Sequence, residues 1–177
     1  MSRNINFPDK IVAKTYTTPA AAPYSSYPVV LSQADGVAGG APWNFVSALG
    51  AFAVNHVGSK MIINTGLNKG VYTVTARNSA TQLTIVPAPV AEATITYFVG
   101  GLNLPLTLGT DGCLGLKKIN GIQAVGLVVG GVGYAATRYA SDKGTVIMEL
   151  WNQTTGAQAA TTTNVGGMAM HVQAVGL

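Results

Sequence analysis

The sequence predicts an all-β protein, a small β-barrel or β-sandwich that follows an extended N-terminal arm. From residue 60 onward, apolar and polar residues alternate with a period of two, as they do in half-buried strands. The segments between these stretches, such as NTGLNKG, ARNSAT and SDKG, are rich in Gly, Asn, Asp and Ser, which favour turns. Short strands at regular spacing with such turns are typical of barrels and sandwiches.

Residues 1–42 are predicted to form the arm, and residues 43–177 the β domain. Prolines recur through the first segment, and each proline removes an amide donor and fixes φ, which disfavours a long helix or a central strand. A disordered tail is the alternative, but disordered segments are usually poor in aromatic residues. We therefore expect aromatic side chains of this region to fill pockets on a neighbouring subunit. The candidate interface residues are Phe7, Tyr16, Tyr24, Tyr27 and Trp43.

Alternation also assigns faces to individual strands. In the stretch TITYFV, Ile95 and Tyr97 are expected on the buried face, and in TVIMEL the pattern places Glu149 on the polar face. The composition is compatible with two lobes within the β domain, residues 43–100 and 101–177.

The one candidate helix lies in NFVSALGAFAVNHV, where Phe45, Leu49 and Phe52 recur at helical spacing. Gly50 in the middle of this stretch costs about 1 kcal/mol relative to Ala in a helix. A short turn followed by a strand is therefore an equal alternative.

A glycine pattern near the C-terminal half resembles a nucleotide-binding fingerprint in its spacing. Gly131, Gly133 and Ala136 match G-x-G-x-x-A, and Glu149 stands where a ribose-binding carboxylate would. A dinucleotide fold needs a crossover helix and further βαβ units after the glycines, and the sequence that follows reads as strands and turns. We therefore interpret the glycines as part of a bulged or kinked strand.

Catalytic, cofactor and metal sites are not predicted. The chain has two His and six acidic residues, and their spacing pairs none of them. We interpret His56 as a loop residue and His171 as a polar-face residue of the last strand. Cys113 is the single cysteine, so an intrachain disulfide is impossible, and one Cys with two His does not make an ordinary structural zinc site.

Charge is scarce, at 9% of residues, against about a quarter in an ordinary soluble domain. The net charge is +4, but the basic residues are scattered rather than clustered with aromatics, so we expect no direct binding to nucleic acid. The longest apolar run is interrupted by glycines and is shorter than a membrane span, and the first ten residues have no signal-peptide core. We expect synthesis in the cytoplasm and a surface that is buried against partners.

Two stretches carry a family resemblance. Residues 50–86 contain a Gly-rich lead-in, the strand GVYTV, a polar turn and the strand LTI, and residues 119–150 contain GGVGY followed by a TV strand. Both stretches resemble β modules of tailed-bacteriophage virion proteins. In the second module, the resemblance implies that Gly131, Gly133 and Tyr134 shape a β corner.

The resemblance implies a non-enzymatic part of a capsid, collar or tail. Together with the scarcity of charge, it predicts a capsid decoration or cement protein of the virion that ties major capsid subunits together. We expect a homo-oligomer, with a trimer favoured, no cofactor and no membrane partner. The alternatives are a collar, adaptor or tail component, a carbohydrate- or receptor-binding module and, last, a small hydrolase.

Overall fold

The structure, a computed structural model, describes residues 10–17, 27–40, 44–105, 119–126, 132–140, 145–152, 155–167 and 169–176. Its regular elements are strands, apart from one 3-10 turn at Val54–His56. In chain order the strands are β1 (Lys10–Thr17), β2 (Leu31–Ala38), β3 (Phe45–Val46), β4 (Lys60–Ile63), β5 (Gly70–Ser79), β6 (Gln82–Val86), β7 (Glu92–Val99), β8 (Leu102–Pro105), β9 (Ile119–Gly126), β10 (Val132–Ala140), β11 (Thr145–Asn152) and β12 (Ala169–Gly176).

A closed antiparallel barrel forms the centre of the described chain, in the strand order β2-β3-β6-β5-β4-β7. Pairing of β2 with β7, in which Leu31 lies opposite Val99, closes the barrel. Closure leaves the barrel without free sheet edges. The all-β prediction and its barrel alternative are therefore confirmed.

The barrel is filled by side chains from alternate positions of its strands. On β7, Ile95, Tyr97 and Val99 are buried as the alternation predicts, and on β5 the inward positions include Tyr72 and Val74. The Phe45 and Tyr97 rings meet edge to face, with centroids 4.9 Å apart. Such aromatic pairs contribute about 0.5–1.5 kcal/mol beyond the burial of their area.

Two three-stranded sheets accompany the barrel, in the orders β1-β12-β9 and β10-β11-β8. The second sheet covers the outer face of β4, because Ile147 of β11 packs with Ile62 of β4 and with Val30. This explains why Met61 and Ile62 are both buried although adjacent residues of a strand point to opposite faces. Glu149 is also buried, which corrects the prediction that it lies on a polar face.

Two parts of the region predicted as an arm form strands, β1 and β2. Strand β2 lies before residue 42 and is a member of the barrel, and β1 pairs along its whole length with β12, from Lys10 opposite Gly176 to Thr17 opposite Ala169. The prolines of this region fall outside both strands, so they do not prevent either strand from pairing.

Two local interpretations are resolved by the structure. The candidate helix is absent: Phe45–Val46 forms β3 of the barrel, and the regular helical geometry is confined to the 3-10 turn. Gly133 and Ala136 of the glycine pattern lie in β10, which pairs antiparallel with β11 and whose register shifts between Val132 and Ala135, whereas Gly131 lies outside the described residues. The predicted bulged or kinked strand is therefore confirmed at this position.

Candidate functional site

One end of the barrel exposes a group of apolar residues. The connection between β4 and β5 carries Leu67, which is 82% exposed, and the connection between β6 and β7 carries Val90, which is 55% exposed. Val86, at the end of β6, is also exposed, as are the next two residues. We call this surface the apolar end, defined by Leu67, Val86, Pro87, Ala88 and Val90. Contiguous exposed apolar surface on a soluble protein commonly marks a contact site.

Asn68 ties the two loops of the apolar end together. Its Oδ1 accepts a hydrogen bond from the Val90 N–H at 2.8 Å, and its Nδ2 donates to the Val90 carbonyl at 3.0 Å. The Tyr72 hydroxyl donates to the Asn68 carbonyl at 2.8 Å from inside the barrel. Asn68 is buried while its neighbour Leu67 is exposed. The hydrogen bonds of Asn68 therefore fix the loops that carry the exposed apolar side chains.

Glu92 also fixes the loop that carries Leu67, through three hydrogen bonds. Its carboxylate accepts from the Leu67 N–H at 2.9 Å, from the Asn68 N–H at 3.1 Å and from Asn68 Nδ2 at 2.8 Å. The hydrogen bond from Leu67, together with those from Asn68, holds the pKa of Glu92 below its usual value. A side chain on Gly66, which has a φ of 71°, would overlap this carboxylate. The carboxylate therefore holds the loop in place, and hydrogen bonds within the loop occupy its oxygens.

The charged side chains of the barrel are bound to uncharged groups of the barrel itself. Lys60 Nζ donates to Thr73 Oγ1 at 2.7 Å, and Arg77 Nε donates to the Phe52 carbonyl at 2.7 Å. Asp35 and Glu92 accept from hydroxyl, amide or backbone donors. Within residues 31–99, the remaining charged residue is Lys69, which is exposed. Three positive and two negative side chains in this range give a net charge of +1.

A hydrogen-bonded chain links the barrel core to its wall. The Tyr97 hydroxyl donates to Ser47 Oγ at 2.8 Å, and Ser47 Oγ donates to Asp35 Oδ1 at 2.6 Å. Burial raises the pKa of Tyr97 to about 12. Burial also acts to raise the pKa of Asp35, but hydrogen bonds from Ser47 and the Leu49 N–H outweigh it and lower the pKa. Neutral Tyr97 and ionised Asp35 are the states that a structural network requires.

His56 lies in the connection between β3 and β4, and the fold encloses its side chain. It is buried at the end of the 3-10 turn, with Nε2 at 2.7 Å from the Val29 carbonyl and Nδ1 at 2.8 Å from the Ala53 N–H. Both ring nitrogens therefore contact the backbone. Two of the acidic residues, Asp111 and Asp142, lie outside the described residues.

A shallow pocket of about 270 Å³ lies beside His56, lined by Ala53, Val54, Asn55, Thr161 and Thr162. Asn55 Nδ2 donates to the Tyr27 carbonyl at 2.7 Å and to the Thr161 carbonyl at 3.2 Å. Its Oδ1 is buried and has no hydrogen-bond partner among the described residues. A glycan-binding module would be expected to stack a sugar on an aromatic ring. The lining of this pocket contains no aromatic ring.

The candidate interface residues fall into different settings. Tyr27 is fully buried in its own chain, and its hydroxyl accepts a hydrogen bond from the Leu150 N–H at 2.8 Å. This corrects its assignment to an interface, because a side chain enclosed by its own core is not available to a neighbour. Tyr16 lies in β1, where its backbone pairs with Met170. Phe7, Tyr24 and Trp43 lie outside the described residues.

The predictions from sequence do not include the apolar end, although two stretches of the sequence indicate it. The stretch VPAPVA is apolar and breaks the alternation after β6, and Leu67 stands alone among turn residues in NTGLNKG. An apolar residue in a tight polar turn has no route to the core, so both stretches indicate exposed apolar side chains.

Among the described residues, no three His, Cys, Asp or Glu side chains come together as metal ligands. That same part of the chain contains no helix of the length and apolarity that crossing a bilayer requires. In comparisons with known proteins, no family model, no curated protein and no solved structure matches the chain.

Proposed function

We propose that the chain is a non-enzymatic structural protein of a bacteriophage virion, a capsid decoration or cement protein that stabilises the shell of major capsid subunits. The observation that supports this proposal most directly is the apolar end on a barrel with few charges, four of which hydrogen-bond to its own neutral groups while Lys69 is exposed. Burying such a surface against another subunit costs little, because few ions lose their water.

The apolar end is the surface that we assign to the shell contact. Leu67 and Val90 project from loops that Asn68 and Glu92 hold in place, so little conformational freedom is lost when a partner covers them. Burial of a Leu or Val side chain contributes about 1.5–3 kcal/mol. Repeated over many copies on one particle, contacts of this size would stabilise the shell through mass action.

The proposal also includes a homo-oligomer, with a trimer favoured, located in the virion. A symmetric assembly would repeat the apolar end around an axis and present several equivalent contacts to the shell. Sedimentation equilibrium of the purified chain tests this part on its own. A monomer over the whole accessible concentration range would remove it without touching the shell contact.

The direct test of the function is electron microscopy of intact particles, together with the copy number. A cement protein should be present in tens to hundreds of copies on the outside of the head. A low copy number at the neck or tail would instead identify a collar, adaptor or tail component, which is the runner-up within the same class of virion proteins.

A reconstitution experiment tests the surface. Particles lacking the chain should release their DNA at a lower temperature than complete particles, and adding purified chain should restore the difference. The variant Leu67→Lys should restore it poorly, because a charge in the contact must be desolvated. The matched control is Val54→Lys, since Val54 is 74% exposed but lies outside the apolar end. Equal rescue by both variants would remove the apolar end from the contact.

A further inference from the structure

Residues 27–30 form the junction between the barrel and the sheet β10-β11-β8. Tyr27 is anchored on the sheet side through Leu150, while Val30 packs between Ile62 of the barrel and Ile147 of the sheet. The Pro28 carbonyl accepts a hydrogen bond from the N–H of Gly101, in the connection between β7 of the barrel and β8 of the sheet. A contact of the barrel with this segment therefore also holds the sheet.

His56 makes such a contact through its ring. Because the Val29 carbonyl is only an acceptor, Nε2 must carry the proton and donate to it, at 2.7 Å. Nδ1 must then be unprotonated, since it accepts from the Ala53 N–H at 2.8 Å. The two contacts together specify the neutral imidazole in one tautomer.

The site is closely packed and offers a protonated Nδ1 a single, long acceptor contact. His56 is 1% exposed, and a side chain on Gly100 would overlap both the imidazole and the Val29 carbonyl. Protonation at Nδ1 would point a second N–H at the amide of Ala53, leaving only the Ala53 carbonyl at 3.3 Å as an acceptor. Burial, aided by the charge of Arg77, lowers the pKa of His56, although the carbonyls of Val29 and Ala53 act in the opposite direction.

The neighbouring groups do not compensate the charge. Among the described residues, Arg77 of β5 is the charged group that acts on the imidazole, and it has the same sign. The junction itself contributes Tyr27, whose hydroxyl contacts Leu150. From inside the barrel, Phe52 presents its ring, with its centroid 6.4 Å from that of His56.

We propose that protonation of His56 releases residues 27–30 from the barrel, so that mild acid opens the junction between the barrel and the sheet β10-β11-β8. The opened state exposes His56 to water and breaks its hydrogen bond to Val29. This device is independent of the proposed virion function, because it rests on contacts within one chain.

The direction of the pH effect follows from the pKa of His56 in the closed and open states. Because the pKa of His56 is lower in the closed state, the open state binds more protons, and closure is weakened as the pH falls below the ordinary histidine pKa of about 6.5. At pH 5.5 an exposed imidazole is about nine-tenths protonated. The opening equilibrium should then be larger than at pH 7.5, by at most about tenfold, the limit for a closed state that binds no proton at pH 5.5.

Amide hydrogen exchange of the whole chain, corrected for the intrinsic effect of pH, tests the proposal. Protection of the Gly101 amide, which donates to Pro28, should fall between pH 7.5 and pH 5.5, by up to about tenfold. Protection of the Asn64 amide, which donates to Thr96 in the barrel, should stay constant. Constant protection at Gly101 would overturn the proposal, and an equal fall at both amides would show general unfolding instead of release of the junction.

Two variants and one titration assign the effect to His56. His56→Gln keeps a side-chain donor for the Val29 carbonyl but does not titrate, so protection at Gly101 should become independent of pH. His171→Gln is the matched control and should retain the pH-dependent fall in protection that the unmodified chain shows. If His56→Gln does not fold, the imidazole titration of the unmodified chain by NMR decides, because a His56 pKa at or above 6.5 contradicts the mechanism.

Discussion

The hydroxyl of Tyr27 accepts a hydrogen bond from the backbone N–H of Leu150, 123 residues further along the chain. The donor lies in strand β11 and the acceptor precedes the first strand of the barrel, so this bond joins the barrel to a separate sheet. Burial raises the pKa of Tyr27 to about 12, which keeps the hydroxyl neutral. An aromatic residue from the predicted arm is thus part of the core that holds the chain together.

Removing this hydroxyl should destabilise the chain. Tyr27→Phe leaves the buried Leu150 N–H without its acceptor, and an unsatisfied buried donor costs about 1–3 kcal/mol. The free energy of unfolding, measured by urea denaturation, should fall by that amount, whereas the exposed control Val54→Ala should change it by less than about 0.5 kcal/mol. If Tyr27→Phe changed the oligomeric state but not the unfolding free energy, Tyr27 would be an interface residue after all.

The chain from Tyr97 through Ser47 to Asp35 gives a second prediction. Ser47→Ala removes the acceptor of the buried Tyr97 hydroxyl and a donor to Asp35, so we expect a loss of about 1–3 kcal/mol of unfolding free energy. The pKa of Asp35, followed by NMR, should rise because a hydrogen bond that lowers it is gone. Ser32→Ala, at an exposed position of β2, is the control and should change neither quantity.

Two glycines separate backbone strain from steric overlap. Gly58 and Gly66 both have positive φ, of 88° and 71°, but a side chain on Gly58 meets nothing within 4 Å, whereas one on Gly66 overlaps Glu92. Gly58→Ala should therefore cost only the strain of the left-handed conformation, about 1–2 kcal/mol. Gly66→Ala should cost more, since the loop must also move away from the carboxylate. Thermal unfolding of both variants checks the order, and equal losses would mean that the loop at Leu67 is not held by Glu92.

The same carboxylate predicts an acid dependence. Because folding lowers the pKa of Glu92 from its ordinary value of 4.5, its stabilising effect is complete above pH 4.5 and is lost as the pH falls through the folded pKa. The difference in unfolding free energy between the unmodified chain and Glu92→Gln should shrink over that range. Lys69→Gln, in the neighbouring loop, serves as the control, whose difference from the unmodified chain should not follow this titration. A constant difference for Glu92→Gln would contradict the role of the carboxylate.

Local patterns predicted much of the strand geometry. The alternation around Ile95 and Tyr97 assigned the correct faces of β7, because a strand inside a barrel has one buried and one wetter side. It was misleading at Glu149, because the end of β11 is buried on both faces where Ile147 and Leu150 pack. Whether a second layer covers a strand depends on elements distant in sequence, which periodicity does not report.

Local patterns did not predict that β2 belongs to the barrel or that the apolar end exists. Strand β2 carries polar and small residues, with Asp35 and Gly36 at its centre, so its sequence lacked the alternation of a barrel strand. The interactions that place it there come from β3 and β7. For the same reason the sequence did not reveal that Leu67 and Val90 lie together, since Asn68 connects their two loops only after the barrel has closed.

Residue types and their alternation were enough to predict that this chain is built of strands, that it carries few charges and that the strand containing Gly133 is irregular. These properties follow from residue type and from the period of two, which act over a few neighbouring residues. Only the tertiary structure decided that β2 completes a barrel, that Tyr27 and His56 are enclosed, and that an apolar end remains exposed. Those outcomes depend on which distant segments meet, because burial is a property of the closed assembly of strands and not of any one of them.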